Sequence, residues 1–135
     1  MNNVTPSLRT ALIVEDDPAL LNVLHEALTD AGFETTAVAY GSPAMRMVAK
    51  QRFDVLLVDV NLPDMSGMIL CDEARERYQE QVVILVMTGL NIARRGVSSL
   101  QVCADGFLGK PFALDELIAR IESTLRRVPK EHAAH

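Results

Sequence analysis

Asp59 is the carboxylate in this sequence whose placement most suggests chemistry. It directly follows the stretch 54–58, in which an apolar run of Val and Leu comes after Asp54, and it precedes a turn rich in Asn, Pro, Asp and Gly. A short apolar run bounded by turn formers predicts a strand buried on both faces. A carboxylate where such a strand ends lies at the edge of the sheet where open α/β folds place their sites. Taken alone, Asp59 would serve equally well as a simple cap.

Other predicted strands also end in residues that can do chemistry. Glu15 and Asp16 follow the first strand, Thr88 follows the fourth, and Lys110 comes directly after the fifth. Each has an ordinary explanation, because acidic pairs cap helices, Thr often ends a strand, and a surface Lys is usually solvated. These explanations do not account for the placement of all these residues on one edge of the sheet, and that placement indicates a functional site.

The residue types on this edge predict phosphoryl transfer onto Asp59. Glu15, Asp16 and Asp59 repel one another when brought together, so the site should demand a cation. Their ligand atoms are all oxygen, which favours Mg²⁺ or Mn²⁺ over zinc. A carboxylate on such a metal, faced by a lysine and a hydroxyl, is well placed to attack a phosphoryl group whose oxygens the metal and lysine neutralise.

Strand and helix patterns alternate along the chain and would position these residues. Predicted strands cover 11–14, 34–39, 54–58, 82–87 and 106–109, and predicted helices cover 18–31, 42–52, 67–78, 91–104 and 114–127. Asp17 and Ser42 are predicted N-caps, each followed by a proline in the first turn, and Gly32 is the predicted stop of the first helix. The helix over 91–104 has weak propensity because it contains Gly, Ser and β-branched residues.

Five such β/α units predict a doubly wound α/β fold, a five-stranded parallel sheet with helices on both faces. Right-handed crossovers then place the end of every strand on one edge, which we call the carboxyl edge. At 135 residues the chain is expected to be one domain, over residues 8–127, with 128–135 as a C-terminal tail or linker remnant.

Composition narrows the function classes. The net charge of −5 and the lack of a basic run argue against direct binding of nucleic acid. No signal peptide and no apolar run of about 20 residues is visible, so we expect a cytoplasmic protein that does not enter the membrane. Cys71 and Cys103 have no ligand-like spacing and are expected to be buried, reduced thiols.

Four motifs carry a resemblance to a known family. LIVEDDP, LLVDVNLPDMSG, VILVMTG and DGFLGKPF occur in the order and spacing of the response-regulator receiver domain of two-component phosphorelay signalling. The resemblance extends from about residue 10 to residue 127. It implies the flavodoxin-like strand order 2-1-3-4-5 for the sheet.

The resemblance also implies roles for the residues on the carboxyl edge. Asp59 resembles the phosphoacceptor, Asp16 a direct ligand of Mg²⁺, and Glu15 an acidic partner that acts largely through water. Asn61 is expected to offer its backbone carbonyl to the metal.

Thr88 and Lys110 resemble the pair that holds the phosphoryl oxygens. Phe107 falls at the position of the family's switching aromatic, and Pro111 where the preceding peptide bond is usually cis. Phosphorylation would draw Thr88 toward the phosphoryl group, let Phe107 rotate inward, and change the surface of the fourth helix, fifth strand and last helix.

The implied partners are a histidine kinase or His-phosphotransfer protein as donor, and a downstream effector protein or a missing output domain as target. Such a domain is a switch and not an enzyme, because it promotes only its own phosphorylation and autodephosphorylation. Gly89, which follows Thr88, is small and predicts fast loss of the phosphoryl group. The sequence of the last helix resembles that of regulators with a winged-helix DNA-binding domain. Gly106, however, stands where those regulators have an acidic residue in their dimer face, so we expect a monomer or weak dimer.

Two other functions compete with this one. A phosphatase or phosphotransferase of the haloacid-dehalogenase type also uses a strand-end Asp, Mg²⁺ and Lys, but it requires a second Asp where this chain has Asn61. A flavin-binding module of similar topology would need a Ser/Thr/Gly phosphate loop after the first strand. Asp54, Asp64 and His25 are given no role in the site.

Overall fold

Parallel strands form one sheet in the computed structural model, which describes residues 8–89 and 103–127. The strands are β1 Arg9–Val14, β2 Phe33–Val38, β3 Val55–Asp59, β4 Val83–Thr88 and β5 Gly106–Gly109. The helices are α1 Pro18–Asp30, α2 Gly41–Lys50, α3 Gly67–Tyr78 and α4 Leu114–Leu125, with a 3₁₀ turn at Gln79–Gln81. The sheet order β2-β1-β3-β4-β5 confirms the predicted fold. The predicted helix over 91–104 falls almost wholly outside the described residues.

Two apolar layers cover the sheet because successive strand residues point to opposite faces. Leu56 and Val58 of β3 face one layer, which buries side chains of α2 and α3. Val55 and Leu57 face the other, which buries side chains of α1 and α4. The continuous apolar run of β3 is therefore explained by burial on both faces. Within the described ranges, no helix is long and apolar enough to cross a membrane.

Strand bounds differ from the predicted ones by two residues at the start of β1 and by no more than one elsewhere, in a way that matters for the site. β3 and β4 extend to Asp59 and Thr88, so these residues pair within the sheet instead of following it. Asp59 pairs with Met87, and Thr88 pairs with Gly109, the residue before Lys110. The sheet itself thus fixes the spacing of the three side chains.

Helix α1 begins and ends as predicted. The Asp17 carboxylate accepts a hydrogen bond from the backbone N–H of Ala19 at 3.1 Å, and Pro18 occupies the first turn. The chain leaves the helix through Gly32, whose φ of +102° is a conformation that glycine adopts without strain.

Helix α2 begins differently, and the prediction of Ser42 as its N-cap is wrong. The helix starts at Gly41, and the Asp64 carboxylate accepts hydrogen bonds from the N–H groups of Gly41 and Ser42, both at 2.8 Å. Asp64 was given no role in the site, but it has this structural role. Because it lies beyond β3 in the sequence, local pattern could not reveal it. The helix ends at Lys50, before the predicted 52, because Gln51 is extended.

The edge of the sheet where the strands begin, the amino edge, carries a polar network around Asp54. Its Oδ2 accepts hydrogen bonds from the Thr10 N–H at 2.7 Å and the Thr10 hydroxyl at 3.3 Å. Its Oδ1 accepts one from Arg52 at 3.0 Å, and Arg52 also donates to the carbonyl of Gln81 at 2.7 Å. Asp54 therefore joins the start of β3 to β1 and to the chain before β4.

Candidate functional site

The carboxyl edge brings together the carboxylates that the sequence analysis grouped. Ligand atoms of Glu15, Asp16 and Asp59 all lie within 4.8 Å of one another. Glu15 follows β1 and is fully buried, Asp59 ends β3 and is 6% exposed, and Asp16 is open to solvent. Two of the three carboxylates are therefore buried and the third is exposed, so the cluster is accessible from solvent.

Lys110 lies between two of these carboxylates. Its Nζ donates to Asp59 Oδ2 at 2.6 Å and to Glu15 Oε1 at 2.7 Å. Burial opposes the charge on Lys110, but these hydrogen bonds and the two negative charges raise the pKa of its ammonium above the ordinary 10.5. The charged form of Lys110 is therefore favoured by the site.

Glu15 has its own supports. Its Oε2 accepts a hydrogen bond from the backbone N–H of Asp17 at 3.0 Å, which ties the carboxylate to the start of α1. Burial raises the pKa of the Glu15 carboxyl above the ordinary 4.5, against the opposing effect of Lys110. A buried carboxylate of this kind gains most from a nearby cation.

Asp59 is held by the loop that follows it. Its Oδ1 accepts a hydrogen bond from the N–H of Asn61 at 2.8 Å, which orients the carboxylate. Gly67 packs directly below, because a Cβ there would lie 2.2 Å from the Asp59 carbonyl oxygen. The Gly67 N–H also donates to the Val60 carbonyl at 2.7 Å, so the loop closes back onto the end of β3.

The hydroxyl of Thr88 is an anomaly. Thr88 is 1% exposed, and its Oγ1 has no hydrogen-bond partner among the described residues. A buried polar atom without a partner costs free energy unless something else binds it. Thr88 ends the strand next to Asp59, so the missing partner is expected on this edge.

The other predicted site residues lie nearby. Phe107 is half-buried in β5 and packs against the layer that contains α2 and α3. Asn61 is exposed beyond β3, with its backbone beside the Asp59 carboxylate. The peptide bond between Lys110 and Pro111 is cis, as the resemblance implied. His25 is half-buried on α1 and is not in the acidic cluster.

The donor set fits a hard divalent cation. Glu15, Asp16 and Asp59 contribute three negative charges against the single positive charge of Lys110. Their ligand atoms are all carboxylate oxygens, the type that Mg²⁺ and Mn²⁺ bind in proteins. A divalent ion would balance the remaining excess of negative charge.

An apolar groove opens beside Lys110, and the sequence analysis did not find it. Its volume is about 480 Å³, and it is lined by Asp17, Leu20, Val23, Lys110, Pro111, Phe112 and Leu114. Val23 and Leu114 are 43% and 38% exposed, which is high for large apolar residues. The available signal was the position of Val23, which lies off the buried stripe of α1.

The amino-acid sequence matches a known protein family and a curated relative. The family model described as "Response regulator receiver domain" matches residues 11–122. The response regulator MprA of Mycobacterium leprae is 37% identical over 123 residues, which are 91% of this chain and 54% of that protein. The chain therefore spans about half the length of this curated relative.

Two solved receiver structures share this fold, each at 30% sequence identity. A CheY-like response regulator receiver domain protein from Methanospirillum hungatei has a TM-score of 0.83 and 30% identity, over 93% of this chain and 99% of that one. The receiver domain of a sensor histidine kinase from Pseudomonas aeruginosa has a TM-score of 0.77 and 30% identity, over 89% and 99%. The latter structure has a magnesium ion coordinated in its active-site cleft.

Proposed function

The chain belongs to the response regulator receiver family, and on that premise we propose that Asp59 accepts a phosphoryl group from a phosphohistidine on a partner protein. A receiver is a signalling domain and not a classical enzyme. One observation carries the assignment to Asp59. Its carboxylate bonds to Lys110 at 2.6 Å, and the neighbouring strand presents the buried Thr88 hydroxyl, which has no partner in the described chain.

Mg²⁺, or Mn²⁺ in its place, would be held by Glu15, Asp16, Asp59 and the backbone carbonyl of Asn61. When bound, the ion neutralises negative charge on the phosphoryl oxygens during transfer. The acidic cluster and the excess of negative charge over Lys110 support this ligand set.

The residues divide the transfer step among them. An Asp59 carboxylate oxygen forms a bond to phosphorus while the bond from phosphorus to the donor imidazole nitrogen breaks, and that nitrogen keeps the electron pair. Lys110 exchanges its hydrogen bond with Asp59 for one with a phosphoryl oxygen. The Thr88 hydroxyl donates to another phosphoryl oxygen, which gives this buried group a partner.

Phosphorylation then becomes a signal through charge. It adds roughly two negative charges at Asp59, and the movement of Thr88 toward them leaves room for Phe107. Val86 pairs with Phe107 in the sheet, two residues before Thr88, which gives the two side chains a short structural connection. The surface predicted to change comprises β5, α4 and the predicted helix over 91–104, which lies almost wholly outside the described residues.

The apolar groove beside Lys110 is the proposed docking surface for the phosphodonor. It opens next to the lysine that contacts Asp59, and it exposes Val23 and Leu114. A histidine kinase or His-phosphotransfer protein that covers these side chains would bring its phosphohistidine to the carboxyl edge. The downstream effector or output domain, the cytoplasmic location, the oligomeric state and the bounds 8–127 stay predictions.

The deciding experiment is incubation with acetyl phosphate and Mg²⁺ followed by intact mass measurement. We expect wild type and the control Asp64→Asn to gain one phosphoryl group, and Asp59→Ala to gain none. Chelation with EDTA should abolish the gain. An equal gain in wild type and Asp59→Ala would refute the assignment.

Phe107 tests the signal separately from the chemistry. Phe107→Ala should retain phosphorylation of Asp59 but bind the downstream partner less tightly, because the half-buried ring no longer links Thr88 to the surface. Unchanged affinity for the partner would contradict the coupling.

The haloacid-dehalogenase alternative finds no support in the family model or the relatives.

A further inference from the structure

The fold brings together two cysteines that are far apart in the sequence. Cys71 lies in α3 and is fully buried, and Cys103 precedes β5 and is 2% exposed. Both belong to the apolar layer on the α2 and α3 side of the sheet, and neither is in a disulfide. Their thiols lie close enough for each to shift the pKa of the other.

Arg75 holds the backbone of Cys103 against α3. It lies one turn after Cys71, and its Nε donates to the Cys103 carbonyl at 3.0 Å. Its Nη2 also bonds to Asp105 at 2.8 Å. The Asp105 carboxylate in turn accepts a hydrogen bond from the Ile84 N–H, and the Asp105 N–H donates to the Ile84 carbonyl, both at 2.7 Å. The backbone of Cys103 is therefore held against α3 by a fixed set of hydrogen bonds.

The two thiols differ chemically. The neighbouring Cys103 thiol, together with burial, raises the pKa of the Cys71 thiol well above the ordinary 9.0. The same proximity lowers the pKa of the Cys103 thiol. Since the thiolate is the form that reacts with oxidants, Cys103 is the sulfur that reacts first.

We propose that a peroxide converts Cys71 and Cys103 into an intramolecular disulfide that ties α3 to the chain leading into β5. The Cys103 thiolate attacks the peroxide oxygen, and the O–O bond breaks, giving sulfenic acid and hydroxide. The Cys71 sulfur then attacks the Cys103 sulfur, and the S–O bond breaks. Hydroxide leaves and takes up the Cys71 proton as water, so two thiols and one peroxide give one disulfide and two waters.

The regulatory consequence rests on the proposed function. Phe107 packs against the same layer as the two cysteines, and it lies four residues after Cys103 in the chain. A covalent bond to α3 fixes the start of β5 and restricts the movement that phosphorylation of Asp59 would drive. The oxidised domain should therefore take up the phosphoryl group but transmit it less.

Disulfide formation is tested on the full chain treated with hydrogen peroxide, unfolded, alkylated with iodoacetamide and digested. We expect wild type to lose two hydrogen atoms, take up no label and give a peptide linking Cys71 to Cys103. The variants Cys71→Ser and Cys103→Ser should give no such link. Two labels in peroxide-treated wild type, or links only between separate chains, would overturn the proposal.

Thermal unfolding gives a second readout of the same bond. Closing a loop of this length should raise Tm by roughly 10 °C, and reduction with dithiothreitol should reverse the change. The serine variants should show no increase on oxidation. A reversible link that leaves Tm unchanged or lower would mean that it does not hold α3 to β5.

Signalling is read from ring-labelled phenylalanine by NMR, since the chain has only four phenylalanines. In reduced protein, acetyl phosphate and Mg²⁺ should shift the Phe107 signal, and in oxidised protein the shift should be at most half as large. Equal shifts would overturn the regulatory proposal. Absence of phosphorylation in reduced protein would instead refute the proposed function and leave the disulfide result standing.

Discussion

The two ends of β3 each carry an aspartate whose two oxygens both accept hydrogen bonds, but the polar groups around the two carboxylates differ. At the amino edge, both Asp54 oxygens accept hydrogen bonds, and Thr10 both donates to Asp54 and accepts from its N–H at 3.1 Å. At the carboxyl edge, Asp59 shares one lysine with Glu15, and the Thr88 hydroxyl has no partner in the described chain. The first end is satisfied as it stands. The second is left incomplete, and sites with such local conflicts are where function is expected.

Removing the cation at each end of β3 in turn should give the largest difference in phosphorylation rate. Lys110→Ala leaves Glu15 and Asp59 without the ammonium that bonds to both, so phosphorylation by acetyl phosphate should slow about 10²- to 10³-fold. Arg52→Ala removes the matching cation of the amino edge and should leave the rate unchanged while lowering Tm. Stopped reactions analysed by intact mass give both rates. Similar losses of phosphorylation rate in the two variants would show that the carboxyl edge is no more important for the reaction than the amino edge.

Gly67 tests whether the loop geometry supports the carboxyl edge. Gly67→Ala should lower the free energy of unfolding by about 3 kcal/mol, because the new methyl group overlaps the Asp59 carbonyl. Gly89→Ala is the matched control, since a Cβ there meets nothing within 4 Å. Urea denaturation measures both. A loss at Gly89 as large as that at Gly67 would show that steric overlap is not the cause.

Asp54→Asn probes the satisfied end. It removes the charge that Arg52 and Thr10 bind, and should cost about 1–2 kcal/mol of unfolding free energy. Phosphorylation should proceed at the wild-type rate, because the site is at the other end of the strand. A slowed reaction in a folded Asp54→Asn protein would show that the two ends are coupled.

Asp64 gives the smallest effect, visible only in its pH dependence. Hydrogen bonds from the N–H groups of Gly41 and Ser42 lower the pKa of this carboxyl below the ordinary 3.8. Its contribution to stability is therefore present above about pH 4 and lost as the pH falls through the lowered value. The difference in Tm between wild type and Asp64→Asn should be constant at neutral pH and shrink in acid. A Tm difference that does not change with pH would show that the charge of Asp64 is not its cause.

Local pattern was sufficient where neighbouring residues make the structure. The Asp17 cap, the Gly32 stop and the apolar strands that lead to Asp59 and Thr88 all follow from adjacent residues. Right-handed crossovers then placed the strand ends on one edge. The arrangement of the site could therefore be predicted, but only the folded structure shows that Lys110 bonds to two carboxylates at once.

Long-range contacts explain what the sequence did not predict. The cap of α2 comes from Asp64, beyond the next strand, and the Cys71–Cys103 contact joins segments on either side of β4. The groove beside Lys110 combines a helix and a loop from opposite ends of the chain. Side chains that meet only through tertiary packing leave no periodic signal in the sequence.

The length of β5 has a consequence for self-association. It has only four residues, begins and ends with glycine, and is last in the order of the sheet. The outer edge of such a strand offers unpaired backbone groups to any other chain, and brevity is one of the ways in which proteins make this edge a poor template. The domain can thus present a changing surface beside β5 with little risk of extending its sheet into a neighbouring copy.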